Sequence, residues 1–82
     1  MSKNRLHILK HFPEKNQTIV RLTEEDPEFL ALCEDYDVCI EALQYWEQSK
    51  EVEAETRVND YRTLARELGE EIRKALETQR LD

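Results

Sequence analysis

The sequence predicts an all-α protein, with a short N-terminal helix followed by a long antiparallel helical hairpin that dimerises into a four-helix bundle. Two long stretches carry apolar residues at every third or fourth position, which is the spacing of an amphipathic helix. One glycine and two prolines among 82 residues, 38% of them charged, favour few turns and long solvent-exposed helices. A chain of this length forms one domain, 1–82, whose small core favours a partner.

The first segment, 1–11, is predicted to be a loose arm or a short helix, with Leu6 and Leu9 as apolar contacts. His7 and His11 are four residues apart and would lie on one side of such a helix. Two imidazoles do not complete a metal site, and the HExxH pattern is absent. We therefore predict no metal ligand and no cofactor, and keep metal binding as a minor alternative.

A second short helix is predicted for 13–23. Pro13 disfavours helical geometry at Phe12 and suits the first position of a new helix. Ile19 and Leu22 supply the apolar side of this segment.

The central helix is predicted for 27–48. Asp26 can accept a bond from an unpaired backbone N–H, Pro27 suits the first helical position, and Glu28 complements the helix dipole. The apolar residues occupy an arc of about 140°, which is too wide for one neighbouring helix to cover. The predicted packing residues of this helix are Phe29, Leu32, Tyr36, Cys39, Ile40, Leu43 and Trp46.

A weaker apolar strip lies on the back of the central helix. Two interpretations stay open: scattered surface residues, or a docking strip for the N-terminal segment or for another protein. The strip consists of Ala31, Val38, Ala42 and Tyr45.

The last helix is predicted for 50–79, after a polar bend with Ser49 as its N-cap. Residues whose numbers sum to about 99 would then face each other, so Tyr36 would oppose Leu64. Gly69 should cost about 1 kcal/mol relative to alanine in a helix, which suggests close approach of a neighbouring helix, or a kink. The predicted packing residues are Val58, Tyr61, Leu64, Ala65, Leu68, Ile72 and Leu76.

The two cysteines, Cys33 and Cys39, point about 120° apart on a helix and cannot bridge within it. They are predicted to be small apolar residues in a reducing compartment. The alternative is an intermolecular disulfide, or a reactive thiol at Cys33.

The net charge is −7, but residues 1–22 carry five basic side chains and one acidic side chain. The remaining residues form an acidic body that repels nucleic acid and anionic membranes, so neither is a predicted partner. The alternative is that the basic N-terminal segment binds nucleic acid or a membrane surface. No apolar run approaches the roughly 20 residues of a membrane span, and no secretory signal is visible, so a cytoplasmic protein is expected.

Part of the chain resembles a known family. Over residues 12–40, the pieces Phe12-Pro13-Glu14 and Asp26-Pro27, together with further apolar positions, resemble the opening of YdcH-like small bacterial proteins, whose function is uncharacterised. The resemblance implies a short first helix followed by a helical hairpin, and no known activity. The further positions are Ile19, Leu22, Phe29, Leu32 and Tyr36.

The predicted function is that of a non-enzymatic interaction module. An enzyme needs a concave pocket with convergent polar groups, and a hairpin of this size offers little room for one. No catalytic residue is predicted. The predicted partner is a second copy of the chain in a homodimer, with another protein as a further possibility.

Overall fold

The computed structural model describes residues 6–80, and this part of the chain is helical without any strand. The prediction of an all-α protein with a short N-terminal helix and long later helices is therefore confirmed. The molecule measures 48 × 25 × 21 Å. The elements are α1 (Leu6–His11), a 3-10 turn (Pro13–Lys15), α2 (Asn16–Glu25), α3 (Pro27–Gln48) and α4 (Ala54–Arg80).

The start of α3 follows from its first residues. The side chain of Asp26 accepts hydrogen bonds from the backbone N–H groups of Glu28, at 3.0 Å, and Phe29, at 3.3 Å. These bonds satisfy two donors that have no partner within the helix, as expected of an aspartate N-cap. The predicted cap is confirmed, and α3 spans the range that the sequence predicts.

The start of α4 differs from the prediction, because the helix begins at Ala54 and not at residue 50. Ser49 does not cap α4. Its backbone N–H bonds to the carbonyl of Trp46 at the end of α3, and its hydroxyl accepts from the N–H of Glu51. A serine side chain that bonds the backbone two residues ahead stabilises a turn in competition with a helix.

The helix predicted for 13–23 also has different bounds. Residues 13–15 form a 3-10 turn, and α2 continues to Glu25. The N–H of Asp26 bonds to the carbonyl of Leu22 at 2.8 Å, which keeps the chain helical up to the cap of α3. Residues 1–5 of the predicted arm lie outside the described part of the chain.

The core joins the N-terminal helices to the two long ones. Ile8 from α1 and Ile19 from α2 are fully buried, and both helices pack against α3. Burying one such side chain contributes about 1.5–3 kcal/mol. The N-terminal segment therefore covers apolar surface that the sequence analysis assigns to a partner. The buried core residues are Ile8, Ile19, Leu22, Phe29, Cys33, Tyr36, Ile72 and Leu76.

The predicted packing residues fall into three groups. Phe29, Tyr36, Cys39, Ile72 and Leu76 are buried. Leu64 is 41% exposed and does not pack fully within the chain, so its role in a dimer stays a prediction. The half-buried group comprises Leu32, Ile40, Leu43, Trp46, Val58, Tyr61, Ala65 and Leu68.

The strip on the back of α3 stays largely open. Val38 is 66% exposed and Tyr45 is 59% exposed, whereas Ala31 is exposed and Ala42 half-buried. The N-terminal helices pack elsewhere on α3, through residues such as Cys33. The described helices α1 and α2 thus leave Val38 and Tyr45 open, and both interpretations of this strip stay predictions.

Candidate functional site

A groove between α3 and α4 is an apolar candidate site on the described surface. It encloses about 280 Å³, and two of its lining residues, Val38 and Leu64, are exposed. Exposed apolar side chains that are grouped around a concave surface are typical of binding sites. The lining residues are Asp35, Val38, Cys39, Tyr61, Leu64 and Leu68.

Cys39 links the two helices beside this groove. Cys39 is 3% exposed, and its thiol donates a hydrogen bond to the backbone carbonyl of Tyr61 at 3.3 Å. Burial raises the pKa of the Cys39 thiol, since a thiolate would lose its hydration there. The thiol is therefore a protonated donor near neutral pH, and Cys39 is a structural residue of the groove.

The rim of the groove is acidic. Asp35 lines the groove itself, and each exposed apolar residue has carboxylates one helical turn away. Residues three or four positions apart are neighbours on a helix surface, so these charges lie beside the groove. They are Glu34 beside Val38, and Asp60 and Glu67 beside Leu64. The carboxylate of Glu41, also one turn from Val38, lies instead 3.9 Å from His7 Nε2.

Several basic side chains of the described chain lie against carboxylates, among them Arg62 beside Glu47 and Arg73 beside Glu70. Arg21 lies 3.8 Å from the carboxylate of Glu25, one turn later on α2. Lys3 and Arg5, on which the alternative of nucleic-acid or membrane-surface binding depends, lie outside the described residues.

A polar cluster joins α1 to α3. The backbone N–H of His7 donates to Asp37 Oδ1 at 3.2 Å. The imidazole Nε2 of His7 lies 3.7 Å from Asp37 Oδ1 and 3.9 Å from Glu41 Oε2. Asp37 is only 3% exposed, which is unusual for a carboxylate. The cluster thus places three potential metal ligands around one point.

Sequence spacing pairs His7 with His11 and does not indicate Asp37 or Glu41 as partners of His7. In the structure the two imidazoles have different neighbours. His11 instead contacts Phe12, with ring centroids 4.7 Å apart, and Tyr36, with centroids 5.8 Å apart. One signal was available: Asp37 follows the buried Cys33 by four residues and so lies on the same side of α3.

A second cavity, of about 330 Å³, lies between the end of α1 and α4. One of its two arginines, Arg73, bonds to Glu70 at 2.8 Å and to Glu77 on the next turn. The hydrogen bond from Arg73 is the main cause that lowers the pKa of Glu70. Two carboxylates therefore neutralise Arg73, and Arg66 is the other basic side chain of the lining. Its lining residues are His11, Phe12, Tyr36, Ala65, Arg66, Gly69, Glu70 and Arg73.

Comparison of the chain with protein-family models, curated proteins and solved structures gives no match. The YdcH-like resemblance therefore stays a prediction. Within residues 6–80, every helix is too short or too polar to cross a bilayer.

Proposed function

We propose that this chain is a non-enzymatic protein-interaction module whose groove between α3 and α4 binds a basic amphipathic helix of another protein. The exposure of Val38 and Leu64 on either side of the groove is the observation that carries this proposal. Recognition of an amphipathic helix by an apolar groove is a recurring mode of peptide binding.

The scaffold of the proposed module is an antiparallel hairpin of α3 and α4. Three pairs of neighbouring residues support this arrangement. Among them the residue number on α4 decreases as the residue number on α3 increases, as expected of antiparallel helices. A Cβ atom at Gly69 would lie 3.7 Å from Tyr36, and Cys39 bonds to Tyr61. Trp46 and Ala54 line one cavity near the bend.

The position of the N-terminal helices supports an external occupant for the groove. Ile8 and Ile19 lie in the buried core formed with Phe29 and Ile72. None of the described residues of α1 or α2 lines the groove, whose walls come from α3 and α4 alone. The occupant is therefore sought outside the described part of the chain.

Charge favours a basic partner over a second copy. The groove has a carboxylate in its lining and further carboxylates one turn from Val38 and Leu64, and the chain carries a net charge of −7. A symmetric dimer through this groove would bring two acidic rims together, and like charges across an interface oppose association. Lysine or arginine beside the apolar face of a helix would instead complement the rim. The homodimer predicted from the sequence is the competing proposal.

The proposed location is the cytoplasm. Among the described residues, Cys33 and Cys39 are not joined in a disulfide, which suits a compartment that keeps thiols reduced.

The test uses two designed helical peptides that each carry a leucine face. In the first peptide lysine flanks this face, and in the second peptide glutamate flanks it. Binding of each labelled peptide to the full chain is measured by fluorescence anisotropy, at low and at high salt. The lysine peptide should bind, and binding should weaken with salt because surface charges are screened. Leu64→Glu should reduce affinity by about tenfold or more, because it places a charge in an apolar contact.

Thr56→Glu is the matched control, since it adds the same charge at an exposed position of α4 outside the groove. Equal binding of the two peptides, or an equal effect of the two variants, would contradict the proposal. Light scattering then tests whether a second copy of the chain occupies the groove instead of a basic helix. A mass of twice 9.8 kDa that Leu64→Glu halves would assign the groove to a second copy.

A further inference from the structure

We propose that His7, Asp37 and Glu41 bind a first-row divalent cation, for which Zn²⁺ is the appropriate probe. The three side chains offer one ligand atom each, and these atoms lie within 4.8 Å of one another. One imidazole nitrogen and two carboxylate oxygens form a donor set that suits Zn²⁺ and related ions. Mg²⁺ and Ca²⁺ are poorer candidates, since both prefer oxygen ligands alone.

The distances suit an ion between the side chains better than direct bonds among them. His7 Nε2 is 3.7 Å from Asp37 Oδ1 and 3.9 Å from Glu41 Oε2, beyond the usual hydrogen-bond range. With metal–ligand distances of about 2.0–2.2 Å, two ligands of a tetrahedral ion lie about 3.4 Å apart. The two nitrogen–oxygen pairs therefore need to close by about 0.3–0.5 Å. The two carboxylate oxygens, which lie within 4.8 Å of each other, need to close by at most about 1.4 Å.

The helices hold these ligands in a way that allows such a movement. Asp37 and Glu41 are four residues apart, which places both carboxylates on one side of α3. The Glu41 side chain is 57% exposed and free to adjust, whereas the Asp37 side chain is 4% exposed. Asp37 is oriented by the backbone N–H of His7, and hydrogen bonds to ligating carboxylates are a common feature of metal sites.

Charge also favours a divalent ion. The buried carboxylate of Asp37 and the neighbouring Glu41 carry two negative charges, and burial of a charge is costly without a compensating partner. A divalent ion would balance both carboxylates. Three protein ligands would leave a fourth tetrahedral position for water.

A bound ion would connect α1 to α3, because His7 belongs to α1 and the two carboxylates belong to α3. An ion that binds only the folded arrangement stabilises it. We therefore assign the site a structural role that is independent of the groove: Leu64→Glu should leave Zn²⁺ binding unchanged.

The test is calorimetric titration of the chelator-treated full chain with Zn²⁺, together with thermal unfolding with and without the ion. One Zn²⁺ should bind per chain and raise the melting temperature. His7→Ala and Glu41→Gln should each weaken binding by about tenfold or more, since each removes a ligand. His11→Ala is the matched control and should bind like the wild type, because its imidazole lies by Tyr36.

Glu41→Gln is the decisive variant, since this exposed side chain can be changed without loss of the fold, which circular dichroism checks. The proposal is overturned by the absence of saturable binding, or by binding that Glu41→Gln and His7→Ala leave intact. Co²⁺ absorption supplies a separate test: thiolate-to-cobalt charge transfer would assign the ion to Cys33 or Cys39 instead.

Discussion

The buried carboxylate of Asp37, near the middle of α3, accepts a hydrogen bond from the backbone N–H of His7, 30 residues earlier in the chain. His7 is in the first turn of α1, where backbone N–H groups have no partner within the helix. A negative charge at this end also complements the helix dipole. Asp37 thus performs for α1, across the tertiary structure, the role that an N-cap residue performs locally.

This relationship predicts that Asp37→Ala destabilises the protein. The change leaves a backbone donor without its acceptor, which should lower the free energy of unfolding by about 1–3 kcal/mol. Asp37→Asn keeps an acceptor oxygen and should cost less. Urea denaturation in the presence of a chelator measures both effects without any contribution from bound metal.

Asp35→Ala is the control for this prediction, because Asp35 is an exposed aspartate on the same helix. Its effect should stay within about 0.5 kcal/mol, as is usual for surface positions. Equal effects at positions 35 and 37 would show that the bond to His7 contributes nothing.

The N-cap of α3 gives a second prediction. Asp26→Ala removes the acceptor for two backbone N–H groups and should lower the free energy of unfolding by about 1 kcal/mol. Asp26→Ser, which keeps a capping oxygen, should recover most of this loss. Ser49→Ala should have a smaller effect than Asp26→Ala, because Ser49 bonds only within an exposed turn. A larger loss at Ser49 would contradict this assignment of the two caps.

The contrast between these two caps explains which parts of the fold the sequence predicts. Asp26 and Pro27 act through local geometry, so the start of α3 is readable from two adjacent residues. The Ser49 side chain can likewise accept from a nearby backbone N–H, but such a bond fits either a helix cap or a turn. No glycine or proline follows Ser49 in the bend to favour one of the two. The bend is consequently longer than predicted, and Tyr36 lies beside Gly69 on α4, five residues beyond the predicted partner Leu64.

The candidate site was less accessible from the sequence. Periodicity identifies Val38 as apolar and outward-facing, but the groove requires the register of α4, which places Leu64 next to it. The polar cluster depends on α1 packing against α3, and nothing local to His7 indicates that contact. Long-range contacts of this kind are set by the whole core rather than by the spacing of residues in one helix.

Gly69 gives a third prediction. It is buried in the continuous helix α4, and a Cβ atom there would lie 3.7 Å from Tyr36 Cε1 and 3.8 Å from His11 Nε2. Both are ordinary van der Waals distances. Gly69→Ala should therefore stabilise the protein by about 0.5–1 kcal/mol, since alanine is the better helix former.

Gly69→Leu should instead be destabilising, because the larger side chain would collide with the tyrosine and histidine rings. Thermal unfolding of both variants checks the two signs. A loss of stability in Gly69→Ala would mean that the helices need a closer approach than these distances indicate.

The buried thiol of Cys39 and the buried hydroxyl of Tyr36 predict a loss of stability at alkaline pH. Burial raises the pKa of both groups, and the neighbouring Cys39 adds a smaller upward effect on Tyr36. Below the ordinary thiol pKa of about 8.5, folded and unfolded chains both keep the thiol proton, so this contribution to stability is constant. Above it, the unfolded chain loses the proton first, and the free energy of unfolding falls as the pH rises.

Urea unfolding at pH 8 and pH 10 measures this fall. Cys39→Ser keeps a donor for the carbonyl of Tyr61 but has no thiol proton to lose. The urea midpoint of this variant should therefore fall less between pH 8 and pH 10 than the midpoint of the wild type. Tyr36→Phe should likewise reduce the fall, chiefly towards the upper pH. An identical fall in the wild type and in both variants would show that these two buried groups do not set the alkaline limit.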